Sequence, residues 1–456
     1  MPADVQPSTH PVAGDSVDRR ALGPVAARLR ALDAGTGPGW LQSVRDAALA
    51  ALGVAQLPDE RTEAWRHTSL PALADGTLLL PSATAAGATG ATAGGADALD
   101  GWAAQVAQAL GCPSACIVDG RISLSSPGTP ALAVAQSRPG ILGTLAPLDD
   151  AFVALNAALL RDVLVIDVPA DARIGPLLVQ HRTSAGLHAQ AVTRVVVHVG
   201  RNAHLTLIEE VAPIGGLHNL VTEVVLDEGA RLDHWRASRG QSAAGPAAVG
   251  SSAGTGSAST SIARTFVDVG RAASYQGYQQ VEAGHRMREE LHVALTGEGA
   301  EARLAGVAHL LGRDHGDIAL RIEHRASNTT SSSTYRGIAG ERGHFVFKGQ
   351  IHIPEGVRAI DAALTNKNLL LSNDAEIDTR PELTINADDV RCSHGATIGQ
   401  LDADALFLLR ARGIDATLAR GLIMRAFAVA ALHALPEDDV RALFTERLRD
   451  ALGAPA

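Results

Sequence analysis

Cys392 and His394 stand two residues apart in Arg391-Cys392-Ser393-His394-Gly395-Ala396-Thr397. In an extended chain that spacing sends both side chains to one face. A thiolate beside an imidazole suits iron or zinc. Gly395, lacking a Cβ, lets another backbone come close. Two ligands leave a shell of about four incomplete, so the rest must come from elsewhere, a second chain being one source. Asp388 and Asp389 lie just upstream. Being adjacent, they face opposite sides of a strand and do not make the paired carboxylates of a glycosidase.

Other motifs carry less. Gly250-Ser251-Ser252-Ala253-Gly254 matches a nucleophile elbow but sits in a Gly/Ser/Ala tract rather than between a strand and a helix. Gly297-Glu298-Gly299-Ala300-Glu301-Ala302 resembles a dinucleotide fingerprint, with Asp317 downstream, yet its flanks read as strand after strand. The only lysines are Lys348 and Lys367. Neither stands in a Gly-Lys-Ser/Thr loop, so no ATP site is expected; neither has motif support for a Schiff base, so no PLP site is expected. Cys112 and Cys116 form a C-x3-C without the second pair that a zinc site needs, and are read as buried thiols. His324, beside the Ser/Thr-rich run 328–334 that is read as a loop, is given no role.

The elements that would position Cys392 and His394 are strands. From about Phe152 onward, alternation with period two replaces helical spacing, in Thr193–Val199, His204–Ile208 and Leu220–Leu226. A turn residue followed by a small residue and a strand recurs at Asn202-Ala203, Gly229-Ala230, Ala272-Ala273, Gly299-Ala300 and Asp374-Ala375. Such a repeat predicts a solenoid in which each coil stacks on the next. Helices are predicted over Ala21–Leu32, Gly39–Leu52 and Asp97–Leu110. In the last stretch, Asp415 is the predicted N-cap of a helix whose face is Leu418, Leu422, Ile423, Ala426, Phe427 and Ala430. Pro436 ends that helix, and Val440, Leu443, Phe444 and Leu448 mark another. The expected division is 1–150, mostly helical with an Ala/Gly-rich loop at 82–97; 151–400, the β-solenoid core with a Gly/Ser/Ala-rich insert at 240–261; and 401–456, helical.

The chain has 456 residues, 46% hydrophobic and 19% charged, enough to bury a large core. A net charge of −10 disfavours nucleic acid as a partner. No stretch approaches the ~20 uninterrupted apolar residues of a membrane span. The N-terminus has no basic region followed by an apolar run, and three cysteines make no disulfide framework. A cytoplasmic protein is expected.

Several segments together resemble the SufB/SufD family of the SUF iron–sulfur cluster assembly system, on its SufD side. They are Thr365–Ser372, Ala375–Leu383, Ala387–Gln400, Arg412-Gly413-Ile414, Tyr335-Arg336-Gly337, Phe347-Lys348-Gly349, Leu155–His181 and Glu63-Ala64-Trp65-Arg66-His67-Thr68. The resemblance implies a right-handed parallel β-helix between helical terminal regions. It implies a non-catalytic scaffold that pairs with SufB through the β-helix and docks the SufC ATPase on its C-terminal helices, with a homodimer as an alternative pairing. It places the family's interfacial histidine at His394 and the nearby cysteine at Cys392. These would be ligands of a transient iron–sulfur cluster or iron, completed from SufB. The docking region would include Leu406, Leu409, Leu418, Leu422 and Phe427. SufB typically carries Glu-His-Glu-Ala-Thr where this chain has Cys392-Ser393-His394-Gly395-Ala396-Thr397. Two departures are the long insert at 240–261 and Arg391 in place of the commoner lysine.

Two rival readings remain at this stage. In one, the chain is a purely structural partner of SufB, with Cys392 and His394 packing a seam. In the other, it is a β-helix carbohydrate-active enzyme.

Overall fold

The structure, a computed structural model, describes residues 20–32, 39–68, 70, 99–125, 131–184, 190–240, 259–282, 284, 286–436 and 438–452. The stretch 82–97, the Gly250–Gly254 motif and most of 240–261 lie outside them.

Two long sheets face each other. The first holds, in spatial order, β2 (Arg121–Leu124), β1 (Ser114–Val118), β5 (Arg173–Arg182), β7 (His204–Ala212), β9 (Arg231–Arg239), β11 (Ser274–Glu282), β13 (Glu301–Leu310), β15 (Thr330–Ala339), β17 (Ile360–Leu370) and β19 (Val390–Gly399). The second holds β3 (Leu132–Val134), β4 (Leu164–Val168), β6 (Gln190–Val199), β8 (Leu217–Leu226), β10 (Thr260–Val269), β12 (Arg286–Leu295), β14 (His315–His324), β16 (His344–Ile353) and β18 (Glu376–Ile385). From β4 onward consecutive strands alternate between the sheets, and all pairs are parallel except β1 with β2 and β3 with β4. The result is a right-handed parallel β-helix of about seven turns, with helices toward both termini.

The alternation in the sequence sorts each strand into two faces. Leu205, Leu207, Leu232, Val267, Leu304, Phe345 and Leu364 point into the lumen and join one continuous core, each side chain contributing roughly 1.5–3 kcal/mol on burial. The corner repeat has a physical basis. Asn202, Gly229, Ala272 and Gly299 adopt left-handed backbone, and Ala203, Ala230, Ala273 and Ala300 behind them are buried in the core. Asp374 is not left-handed, although Ala375 is still buried. The dinucleotide-like segment is one of these corners: Gly297 lies so close to the Arg271 backbone that a Cβ would collide with it. The run read as a loop, 328–334, is instead largely the start of β15, with Ser331 and Ser333 buried. His324 is buried between Thr329 Oγ1 at 2.8 Å and Ser331 Oγ at 2.9 Å, which makes it structural.

Helices cover the outer faces. Helices α1 (Gly23–Leu32) and α2 (Trp40–Leu52) pack with α4 (Ala151–Ala158), Trp65 and Ile262 over the second sheet. Helix α3 (Gly101–Leu110) joins α6 (Ala416–Val429) and α7 (Asp439–Ala451) against Ile208, Trp235, Tyr278 and Ile338 of the first. Strands β1–β3 also fall within the stretch read as mostly helical. There Cys116 is buried in β1, and burial pushes the half-covered Cys112 thiol up. Asp415 caps α6 as expected, accepting from the Thr417 and Leu418 amides. The fully buried residues of α6 are small, Ala419, Gly421 and Ala428, while Leu422 stays 37% exposed. By length and composition alone the helical stretch Ala416–Ala434 could cross a membrane. Within it Ala428, Ala431 and Leu432 are buried on the solenoid side, with Met424, Phe427 and Val429 packed beside them.

Candidate functional site

The solenoid ends at β18 and β19, each paired on only one side among the described residues. Their burial drops accordingly, and most of β19 is exposed. Long open edges are normally blunted in natural sheets. Here β18 carries Pro381 and several charges, but both edges are ten residues long and leave Ile385 38% and Ile398 49% exposed.

Cys392 and His394 both lie on β19. Register puts Cys392 beside Ala362 and His394 beside Leu364, two lumen residues of β17. The pair therefore occupies the lumen-facing side of the last strand, roughly 7 Å apart along it. Cys392 is half-buried against the main core, and His394 is exposed. Burial pushes the Cys392 thiol up, and the Asp361 carboxylate pushes it further. Thiolate here needs a cation or a metal brought from outside the described chain. Gly395 has open space where a Cβ would be.

The helical region continues this surface. Helix α5 (Ala403–Ala411) follows β19 directly and buries none of its residues. Leu406 and Leu409 are half-covered, whereas Phe407 is 72% and Leu408 51% exposed. Among the described residues, every strongly exposed large hydrophobic except Val54 falls between Ile385 and Leu422. Phe427 is turned onto the solenoid, its ring 4.6 Å from the Arg336 guanidinium, and Leu418 is half-buried. Phe407 and Leu408 escape a reading based on one helical face, because they stand on the side of α5 turned away from its half-covered leucines.

A second polar constellation fills the lumen itself. Glu209 accepts from Arg236 at 2.5 Å and lies 3.0 Å from His181 Nε2 and 2.6 Å from His234 Nε2. Arg236 also reaches Glu289 at 3.2 Å, to which Ser238 donates at 2.5 Å. Burial opposes charge on Glu209, yet Arg236 and His234 hold its carboxyl well below the usual range. These buried groups are partnered with one another, so this layer supports the fold. Its signal in the sequence is the same-parity series Leu232, His234, Arg236, Ser238, which reads as solvent-facing until the lumen is known. A cleft of about 500 Å³ lies elsewhere, between Trp65, Phe152, Arg264, Arg288, Glu290 and Lys348. Its arginines are offset by Asp150 and Glu290.

The comparisons bear on this arrangement. The family model described as "SUF system FeS cluster assembly, SufBD core domain" matches residues 181–427, over half of the chain. An iron–sulfur cluster assembly SufBD family protein of Synechocystis is 31% identical over 313 residues, covering 65% of each chain. The iron–sulfur cluster assembly protein SufD of Escherichia coli is 34% identical over 169 residues, 37% of this chain and 40% of that one. The matched stretches thus span less than two thirds of either relative.

Proposed function

The chain belongs to the SufBD family of SUF-system iron–sulfur cluster assembly proteins, and from that premise we propose that it is a SufD-type scaffold subunit, cytoplasmic and without catalysis of its own. Its open end, β18 and β19, receives the matching end of a SufB-type partner. His394, as neutral imidazole, and Cys392 supply ligands to a nascent cluster or iron at that junction, and the partner supplies the rest. The exposed apolar surface of α5 and α6 docks a SufC-type ATPase. The observation that carries this reading is the open final turn with the pair on its lumen side.

One observation favours a narrower reading. Cys392 is packed on the core beside Asp361, which keeps its thiol protonated; as such it is a seam residue and His394 alone is the ligand.

Anaerobic affinity purification from the native host tests the proposal. Stoichiometric recovery of a SufB-like protein with an ABC-type ATPase is expected. Recovery of the chain alone, under conditions that keep weak complexes, would overturn the scaffold assignment.

A further inference from the structure

His344, Glu376 and Asp378 converge on the outer face of the second sheet. Their potential ligand atoms lie within 4.8 Å of one another. The convergence follows from register. His344 on β16 pairs directly with Glu376 on β18, and Asp378 is two residues on, on the same face. His344 Nε2 stands 2.8 Å from Asp378 Oδ2. The segment that carries Trp65 crosses this face and brings His67 Nδ1 to 3.3 Å from the same oxygen. Glu63 of that segment pairs with Arg380, two residues beyond Asp378.

The other side of His344 is held by a polar chain. Its Nδ1 is 3.2 Å from His315 Nδ1, and His315 Nε2 is 3.1 Å from Thr68 Oγ1. Thr68 donates to Asp317, which also accepts from Arg288. With its hydroxyl proton committed to Asp317, Thr68 accepts from His315 Nε2. When His315 donates through Nε2, its Nδ1 is bare and faces His344 Nδ1 as an acceptor. His344 Nε2 then stands 2.8 Å from the Asp378 oxygen, where ring nitrogen and carboxylate can share one ion. A metal-bound histidine has this form, one nitrogen free to coordinate and the other donating to a fixed acceptor.

We propose that His344, Asp378 and Glu376, with His67 from the N-terminal segment, form a site for a divalent first-row transition ion, separate from the Cys392–His394 pair. An imidazole-and-carboxylate set of this kind suits zinc, ferrous iron or manganese rather than a soft thiophilic ion. Three ligands sit on rigid strands and one on the crossing segment, so the bound ion ties residues 63–68 to the end of the solenoid. His315 is the positioning residue that fixes the tautomer of His344. The alternative occupant is a proton, giving an imidazolium ion pair and no site.

The test uses the full chain carrying Cys392→Ser and His394→Ala, so that the open-end pair contributes nothing and failure of the scaffold reading leaves the result intact. After chelation, Zn2+ is titrated by calorimetry and Co2+ by visible absorption. One equivalent is expected, with a Co2+ spectrum of nitrogen–oxygen ligation. His344→Ala and the near-isosteric Asp378→Asn should each abolish it. His315→Gln should weaken it by about 10–100-fold, the usual effect of losing an outer-sphere partner. Zn2+ should also slow tryptic cleavage at Arg61 and Arg66. Circular dichroism on each variant separates lost binding from lost fold. Absence of binding to the parent, or binding unchanged in folded Asp378→Asn, would overturn the site and leave the imidazolium pair.

Discussion

Arg447 on α7 donates from Nε to Glu282 Oε1 of β11 at 3.0 Å, across 165 residues of sequence. The same guanidinium donates to Glu210 of β7 at 3.1 Å and lies 4.4 Å from the centre of the Trp102 ring. One side chain thus fastens the last helix and α3 to the first sheet. Arg447→Ala leaves buried Glu210 without its cation and Glu282 with only Arg239, 3.8 Å away. Breaking such a group costs about 3–5 kcal/mol. A lowered unfolding midpoint is expected, with early hydrogen exchange in α7. An unchanged melt would show that the helix is held by its apolar face alone.

Two glycines should behave oppositely. At Gly297 a Cβ meets the Arg271 backbone, and at Gly395 it meets open space. Gly297→Ala should destabilise by roughly 1–3 kcal/mol, as overpacking does. Gly395→Ala should leave the denaturation midpoint of the isolated chain within about 0.5 kcal/mol yet weaken capture of the SufB-like partner. Equal midpoints for the two variants would contradict the corner geometry.

Acid should loosen the solenoid through its buried histidines. Burial holds His218 neutral down to about 3 and His324 down to about 4. In the unfolded chain a histidine takes up its proton near pH 6.5. Below that pH the unfolded state binds protons that the folded state refuses. Stability is therefore complete above about pH 6.5 and falls as pH falls, by up to ~1.4 kcal/mol per pH unit for each histidine. His198 works the other way: against its own burial, Asp167 and Asp227 raise it, and its contribution is lost as pH rises. Urea midpoints between pH 7 and pH 5 should decline, with a shallower slope in His324→Gln. A flat profile would mean that these side chains are hydrated.

His394 is exposed and has no packing role, whereas Cys392 touches the core. His394→Ala should keep the parental melting temperature and abolish cluster assembly in cells. Cys392→Ser should cost a little stability, and its activity separates the two readings of the thiol. Full activity in His394→Ala would remove the assigned role.

The fold was legible because its period is written twice, as alternation within strands and as turn residues ahead of buried alanines. Asp415 and its helix were legible from capping chemistry. Which residues α6 buries was only partly legible: Phe427 does meet Arg336 of β15, but Ala428 beside it is the fully buried one and Leu422 stays outside. Cys392 and His394 could be found by spacing, but the burial of the thiol and the nearby Asp361, which together push it up, come only from the packing and register of β17 with β19. The lumen charges were hidden for a similar reason. An alternating His, Arg and Ser series carries the same pattern whether it faces water or an enclosed set of counter-charges.

The two ends of the β-helix differ. One finishes in short antiparallel strands, β2 and β3, of four and three residues, and the other in two ten-residue open edges. Like a rod with a single adhesive tip, the chain can be extended by one neighbour and no further, because joining tip to tip consumes both. Association through the edges therefore stops at a pair instead of running on into a fibre, and long open edges, elsewhere a hazard of aggregation, are tolerable here.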